Sequence, residues 1–590
     1  MEITSFELHF ADYVAFFGYF ILLSLIGYIS GKKKSTDAAD YFLAGKTLPW
    51  YVVGSSYIAA NISTEHFIGL IGAAVIYGIS VATGEWSTVI AFTFLIWIFI
   101  PFLLSSNVYT APEFLEKRFS KKLRHFFAIL SIIANVVAFM GPVIYGGSLI
   151  LNNFFGMDKV LSCFIIGITA GIWAIIGGLK SVAFMDVLTI IIMVGGGLAV
   201  TFLGLSALGD GEGMIAGFQN MIDINAGKVA WVQDWIDQNV VNILKGSEPG
   251  DNYERLSVLQ PLNHYTNPWT HWVFSFFYIG LWYTVINQHM IQKVFAAKDM
   301  YHARMGMVFA SFLKLLLPFI VVIPGMIYFA MKPEFLLSGD WGLMSDEANN
   351  TYIVMIGQLV PTFLRGVLLA ALFGAIQSTV SSVLNSTSTM YVMDIHKEMI
   401  NPQLDDQGQV RLGKVMGIVI LFASIGIAIV LAVATKVNLF VFIQALYNFI
   451  APPFSAIFLL GMLWRKVSGK DAMNTVLISF AFSAVLKILE FTVFAGEELS
   501  ANATFWKGIL VPFANQALLS WIVSMAVCSI SAVLTAAPAP EQVSDDLTFN
   551  FKTKNFGGGL GNKWYTGVPL WSGLSIFLML FMVLLFSVIL

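Results

Sequence analysis

In the middle of an apolar stretch the chain reads AANISTEHFIG, residues 59–69, with Asn61, Ser63, Thr64, Glu65 and His66 close together. Glu85 follows in GEW (84–86), and Lys314 interrupts the apolar run FLKLLLPFIVVIPG (312–325). An ionised group at the centre of a membrane helix costs about 2.5–3.5 kcal/mol on insertion scales, so such groups face a cavity, pair with one another, or both. A second apolar stretch, WTHWVFSFFYIGLWYTVINQHMIQK (269–293), is broken in the same way by Gly280, Trp282, Tyr283, Thr284, Asn287 and Gln288. Where a helix unwinds inside a membrane its carbonyls and amides are freed, which is tolerable only where they face a ligand or a water-filled space. The chemistry of these residues is therefore that of holding a polar solute or an ion. The plainer alternatives are a structural Glu85–Lys314 pair and ordinary interhelical hydrogen bonds for an isolated Ser or Thr. Neither accounts for Glu65 and His66 side by side with Glu85 one span later. Bond-breaking chemistry is not indicated. The eight histidines form no HExxH motif, and Cys163 and Cys528 both fall in apolar stretches, which leaves neither a thiolate metal site nor a disulfide framework.

The elements that position these residues are membrane-spanning helices. With 57% hydrophobic and only 11% charged residues, the chain lies outside the range of soluble domains. It contains about fourteen apolar runs long enough to cross a hydrocarbon core of about 30 Å: 11–31, 50–76, 80–105, 124–153, 158–178, 184–208, 269–296, 303–331, 352–394, 411–434, 437–463, 471–496, 513–536 and 565–589. The fold expected is all-α and polytopic. No separate soluble domain is visible, and no nucleic-acid partner is expected.

Basic residues gather in alternate loops: Lys32–Lys34, EKRFSKKLRH (116–125), Lys293 to Arg304, Lys397 to Lys414, Arg465 to Lys470, and Lys552 to Lys563. The 209–268 loop between them is acidic, with Asp210, Glu212, Asp223, Asp234, Asp237, Glu248, Asp251 and Glu254. The positive-inside rule places the basic loops in the cytoplasm and the 209–268 loop, with Trp231 and Trp235, outside as a solvated cap. Both termini then fall on the extracytoplasmic side of the cell (inner) membrane. No cleavable signal peptide is apparent, because Glu2, Glu7 and Asp12 occupy the place of a basic n-region.

Spans over 50–208 and 269–463 form two sets, each opening on an interrupted helix. An odd number of helices per set enters the membrane in inverted orientation, and paired interruptions in two such halves point to a midplane binding site. The two sets share no visible sequence identity.

DYFLAGKTLPWYVVGSSYIAANISTEHFIG (40–69), GEW, TAPEFLEKRF (110–119), GGLKSVAFMDV (177–187), FLKLLLPFIVVIPG, LNSTSTMYVMDIHK (384–397) and FIQALYNFIAPPF (442–454) resemble the sodium/solute symporter family, most closely the sodium/glucose (galactose) cotransporters. The resemblance runs from about residue 11 to 470 and implies a LeuT-type five-plus-five inverted-repeat core, with one extra helix before it and three after. It implies sodium as the coupling ion, held by the carbonyls of Ala59, Ile62 and Ala375 and the hydroxyls of Ser378 and Thr379, an all-oxygen cage suited to a hard cation. Thr379 stands where a serine is commoner. Asp186 matches an aspartate tied to sodium release. For a sugar, the resemblance implies Asn61, His66, Glu85, Tyr283, Lys314 and Gln444, with Tyr283 also the lid on the cytoplasmic side and Trp282 a lipid-facing or packing residue. His66 and Glu85 match the animal sugar carriers. Gly84, Gly280 and Thr284 depart from the bacterial galactose carriers, which have an aromatic, an asparagine and a tryptophan there.

The function expected is sodium-driven uptake of a hexose by alternating access. The alternatives are a polyol, carboxylate or amino acid as solute, proton coupling through Glu65, Glu85 or Asp186, and a non-transporting sensor, whose mark would be a missing sodium cage.

Overall fold

A computed structural model of the chain describes residues 8–31, 37–63, 65–106, 108–227, 254–262, 264, 267–332, 341–434, 439–494, 500–550 and 556–589. Thr64, Trp231, Trp235, Lys32–Lys34, Lys552, Lys554 and, of the acids of the 209–268 loop, Asp234, Asp237, Glu248 and Asp251 lie outside the described residues. Among the described residues the regular structure is helical throughout. In hydrocarbon, only a helix or a closed barrel satisfies every backbone polar group within itself. The helices used below are α1 (Phe10–Gly31), α2 (Trp50–Asn61), α3 (Ile71–Tyr77), α4 (Thr83–Phe94), α5 (Lys121–Ala134), α6 (Gly141–Phe155), α7 (Lys159–Leu208) and α8 (Trp269–Ser275). They continue with α9 (Gln288–Phe295), α10 (Met300–Val321), α11 (Leu364–Met390), α12 (Asp406–Ala434), α13 (Leu439–Leu463), α14 (Gly469–Thr492), α15 (Phe513–Leu534) and α16 (Val568–Leu584).

Eleven described helical stretches are long and apolar enough to cross a membrane. The sequence predicts about fourteen, and the two figures part at identifiable places. The runs 158–178 and 184–208 form one continuous stretch, α7, in which two helices meet at a sharp kink at Gly178 (φ 61°, ψ −164°), so two expected spans are counted there as one. A Cβ there would sit 2.6 Å from the carbonyl oxygen of Tyr41, so glycine serves both the bend and the close approach. Glu65–Ser105 is likewise one helical stretch, folded back at Gly78 (φ 65°). The run 269–296 is divided into α8, wide π-type turns over Phe276–Gly280 and Trp282–Ile286, and α9. The run 352–394 is divided too, between a helix over Trp341–Leu359 and α11.

α7 is the spine, packed against α11, α1, α12 and α2, while α10 lies along α2 and α4. Within this group α2 and α11 are almost wholly buried. Exposed apolar residues such as Ile21, Val430, Phe491, Leu534 and Phe577 cover α1, α12 and α14–α16, the faces that meet lipid.

The end of α3 is held by Arg255, whose side chain is buried. Its guanidinium donates to the carbonyls of Ile76 (2.6 Å), Val75 (2.8 Å) and Ala74 (3.4 Å) and to Asn225 Oδ1 (3.1 Å), and it lies 3.7 Å from the centroid of the Phe329 ring. These carbonyls belong to the last turn of α3, where that of Ala74 also accepts from the Gly78 N–H. Arg255→Met keeps the volume and removes these charged donors, at about 1.5–3 kcal/mol for a hydrogen bond to a charged group. Thermal unfolding of the purified protein should show a loss of roughly 2–5 kcal/mol. Arg255→Lys should recover only part, since one ammonium cannot fork across three carbonyls.

Candidate functional site

α2 stops at Asn61, where Ile62 takes an extended conformation (φ −80°, ψ 119°). Ser63 N–H turns to His66 Nδ1 (3.4 Å) instead of to the carbonyl of Ala59 four residues back. The chain resumes as a wide π-type turn over Glu65–Leu70, with Glu65 N–H donating to Ser63 Oγ (3.1 Å). The second stretch breaks at Asn287 (φ −67°, ψ 118°), whose N–H reaches back to the Trp282 carbonyl (2.8 Å). Tyr57 OH donates to the Thr284 carbonyl (3.2 Å), which joins one break to the other.

Between the breaks lies a cavity of about 960 Å³ including its mouth. Asn61, His66, Glu85, Tyr283, Lys314 and Gln444, all singled out from sequence, line it together. Lys314 Nζ contacts Glu85 Oε2 at 2.5 Å, and His66 Nε2 lies 3.3 Å from Glu85 Oε1. Gln444 Nε2 donates to Glu65 Oε1 (3.0 Å), and Asn61 Nδ2 donates to Tyr283 OH (2.7 Å), leaving Asn61 Oδ1 without a partner. The cavity has two unlike ends. Toward the 209–268 loop, Gly84 is exposed, and a Cβ added there would meet nothing within 4 Å. Toward the other end Tyr283 is backed by Phe139, Tyr447 and His289, all buried. Trp282 is buried among the same rings, which makes it a packing residue rather than a lipid-facing one.

On the far side of the first break, Thr379 Oγ1 of α11 sits 3.2 Å from the carbonyl oxygens of both Ala60 and Ile62. Ala59, Ile62 and Ala375 are fully buried, and Ser378 Oγ is buried beside the Asp186 carboxylate without a well-formed hydrogen bond. A released backbone turn and the two hydroxyls of Ser378 and Thr379 suit a small hard cation. Asp186 of α7 lies nearby in the fold, accepting from Ser56 Oγ of α2 at 2.5 Å.

The family model described as "Sodium:solute symporter family" matches residues 41–479. The chain belongs to this family. It is 32% identical over 538 residues to a sodium/glucose cotransporter of Vibrio parahaemolyticus, covering 90% of this chain and 91% of the relative. It is 28% identical to a sodium/myo-inositol cotransporter of Homo sapiens, covering 89% of this chain and 73% of that one. Among solved structures, a sodium-coupled sialic acid symporter in a substrate-bound outward-open state aligns with a TM-score of 0.69 and 19% identity, over 90% of this chain and 99% of that one. The chain therefore has the LeuT-type fold, is a multi-pass membrane protein, and is a sodium-coupled solute symporter rather than an enzyme.

Several lining residues escaped the sequence. Glu65 was noticed in the polar run but not placed in the pocket, because its partner Gln444 is 379 residues away. Ser87, Thr88, His271 and Ser275 also line the cavity. A signal existed for each pair: Thr88 lies three residues after Glu85, and Ser275 four after His271, spacings that share a helix face.

Proposed function

We propose that this symporter carries a hexose, or a closely similar polyhydroxylated ring, into the cell with sodium. The supporting observation is the charge state of the cavity wall. The one lysine among its described lining residues, Lys314, is committed to Glu85, and the other polar groups, among them Glu65, Gln444, His66, Asn61, Ser87, Thr88, His271 and Ser275, include no lysine or arginine. A carboxylate solute would need a free cation or a helix end, whereas hydroxyls suit this mixture of donors and acceptors. The glucose and myo-inositol cotransporters among its relatives agree with a neutral polyhydroxylated solute.

In this proposal the loop end of the cavity is extracytoplasmic and both termini lie outside. The sets 50–208 and 269–463 act as inverted repeats. Sodium bound by Ala59, Ile62, Ala375, Ser378 and Thr379 fixes the broken turn that carries Asn61, Glu65 and His66, and so raises sugar affinity. The coupling is reciprocal, so sugar raises sodium affinity by the same factor. Rocking then closes the mouth, Tyr283 moves aside, and sodium leaves past Asp186. One positive charge moved across 100 mV contributes about 2.3 kcal/mol, enough for roughly fifty-fold accumulation.

The test is uptake of labelled glucose and galactose into liposomes containing the purified protein, under an inward sodium gradient and under a matched potassium gradient. Accumulation only with sodium, lost in Gln444→Ala, is the expected result. Sodium-dependent uptake of neither sugar, with a polyol, sugar acid or amino acid taken up instead, would overturn the hexose assignment.

A further inference from the structure

His289, the second residue of α9, is 1% exposed, and neither ring nitrogen has a hydrogen-bond partner. Its ring meets Phe139 edge-on, with centroids 4.8 Å apart, and Tyr283 likewise at 6.0 Å. Tyr283 lines the solute cavity, so a single side chain separates His289 from the solute. The mouth is at the other end.

The neighbouring polar groups are also short of partners. Asn287 Nδ2, at the break, and Asn385 Nδ2, on α11, are buried and unpaired. Lys293, fully buried one turn beyond His289, donates to the His289 carbonyl (3.0 Å). Gln292 of α9 ties the seam together through Asn385 Oδ1 (2.9 Å). All eight residues of α9 are buried.

Buried donors and acceptors left unpaired cost stability in the state that buries them. A phenylalanine at 289 would join the rings of Phe139, Tyr283 and Tyr447 without that cost. The imidazole therefore has no structural use in the closed arrangement, and its polar atoms must act in another. That arrangement is the one in which Tyr283 has moved and the α9–α11 seam has parted.

We propose that His289 is a hydrogen-bonding station for the solute on the exit side of Tyr283, idle while that side is shut. A neutral imidazole presents one donor and one acceptor, which matches a hydroxyl group able to be both. The broken turn at Asn287 and the unpaired Asn385 would flank the same passage. The inference rests on the polyhydroxylated solute proposed above.

The experiment compares wild type, His289→Phe and His289→Gln in liposomes with labelled glucose and galactose. Alongside it, the melting temperature of each purified variant is followed in sodium as glucose or galactose is added. The expected result is that His289→Phe melts at or above the wild-type temperature. Its half-saturating sugar concentration for thermal stabilisation should be unchanged, and its turnover should fall roughly ten-fold, equivalent to about 1.4 kcal/mol on the limiting barrier. His289→Gln, which keeps a donor and an acceptor, should recover most of that loss. A structural role would lower stability and turnover together and would show no such split.

Wild-type turnover in His289→Phe would overturn the inference and leave the sugar assignment standing. If wild type transports neither sugar, the sugar assignment fails and this inference fails with it. If phenylalanine prevents folding, His289→Leu takes its place, and the same split between binding and turnover decides.

Discussion

Lys314→Met should abolish sodium-driven uptake and also destabilise the protein, whereas the double variant Glu85→Gln/Lys314→Met should regain stability without regaining transport. Lys314 is 3% exposed and its ammonium contacts Glu85 Oε2 at 2.5 Å, with His66 on the carboxylate's other oxygen. Removing one partner of a buried ion pair leaves an uncompensated charge and costs about 3–5 kcal/mol, while replacing both with neutral groups of similar size is often neutral. Thermal unfolding of the two singles and the double therefore forms a cycle with a large interaction energy. Transport behaves otherwise, because both charges face the cavity as well as one another. Each charge-assisted bond lost to the solute is worth about 1.5–3 kcal/mol, or roughly ten- to hundred-fold in affinity. Uptake by the double variant at wild-type rates would mean that Glu85 and Lys314 are a structural pair after all. Their presence in one cavity wall with Asn61, Glu65 and Gln444 argues against that outcome.

How much of this was legible beforehand differs from element to element. The break in the first core helix was readable because Asn61 to His66 cannot sit on a continuous span, and the structure ends α2 at Asn61. The two spans of α7 are legible as separate apolar runs, but the loopless kink at Gly178 that joins them is not. Apolar periodicity runs through Gly177–Gly178 either way, and only the Gly178 backbone conformation distinguishes a kink from a loop. Partnerships across the chain were out of reach. Nothing in the sequence joins Glu65 to Gln444, or sets Tyr57 beneath Thr284, because those distances are created by packing. Hydrogen-bond satisfaction is the least legible property of all. His289 looks unremarkable in its segment and gains its interest from partners that the folded chain does not provide.

Ser378→Ala should leave the sodium-free protein as stable as wild type while removing the stabilisation that sodium confers. The two hydroxyls of the proposed cage differ in a way that makes this sharp. Thr379 Oγ1 already serves the fold, bonding the Ala60 and Ile62 carbonyls at the broken turn. Thr379→Val should therefore lower stability even without sodium, by about 1 kcal/mol for the bonds lost. Ser378 Oγ is buried beside the Asp186 carboxylate without a well-formed hydrogen bond, so deleting it costs the empty fold little. A ligand that binds only the folded protein stabilises it by about 2.7 kcal/mol at a hundred times its dissociation constant. In thermal melts with increasing sodium against potassium, wild type should rise accordingly, and Ser378→Ala should stay flat from an unchanged baseline. Choosing potassium as the control holds ionic strength constant, so that screening of surface charge cannot imitate binding. A sodium response in Ser378→Ala equal to wild type would place the ion elsewhere. Response and baseline lost together would instead assign Ser378 to the fold, through its neighbour Asp186. An unchanged baseline with the response gone is what an oxygen reserved for a cation requires.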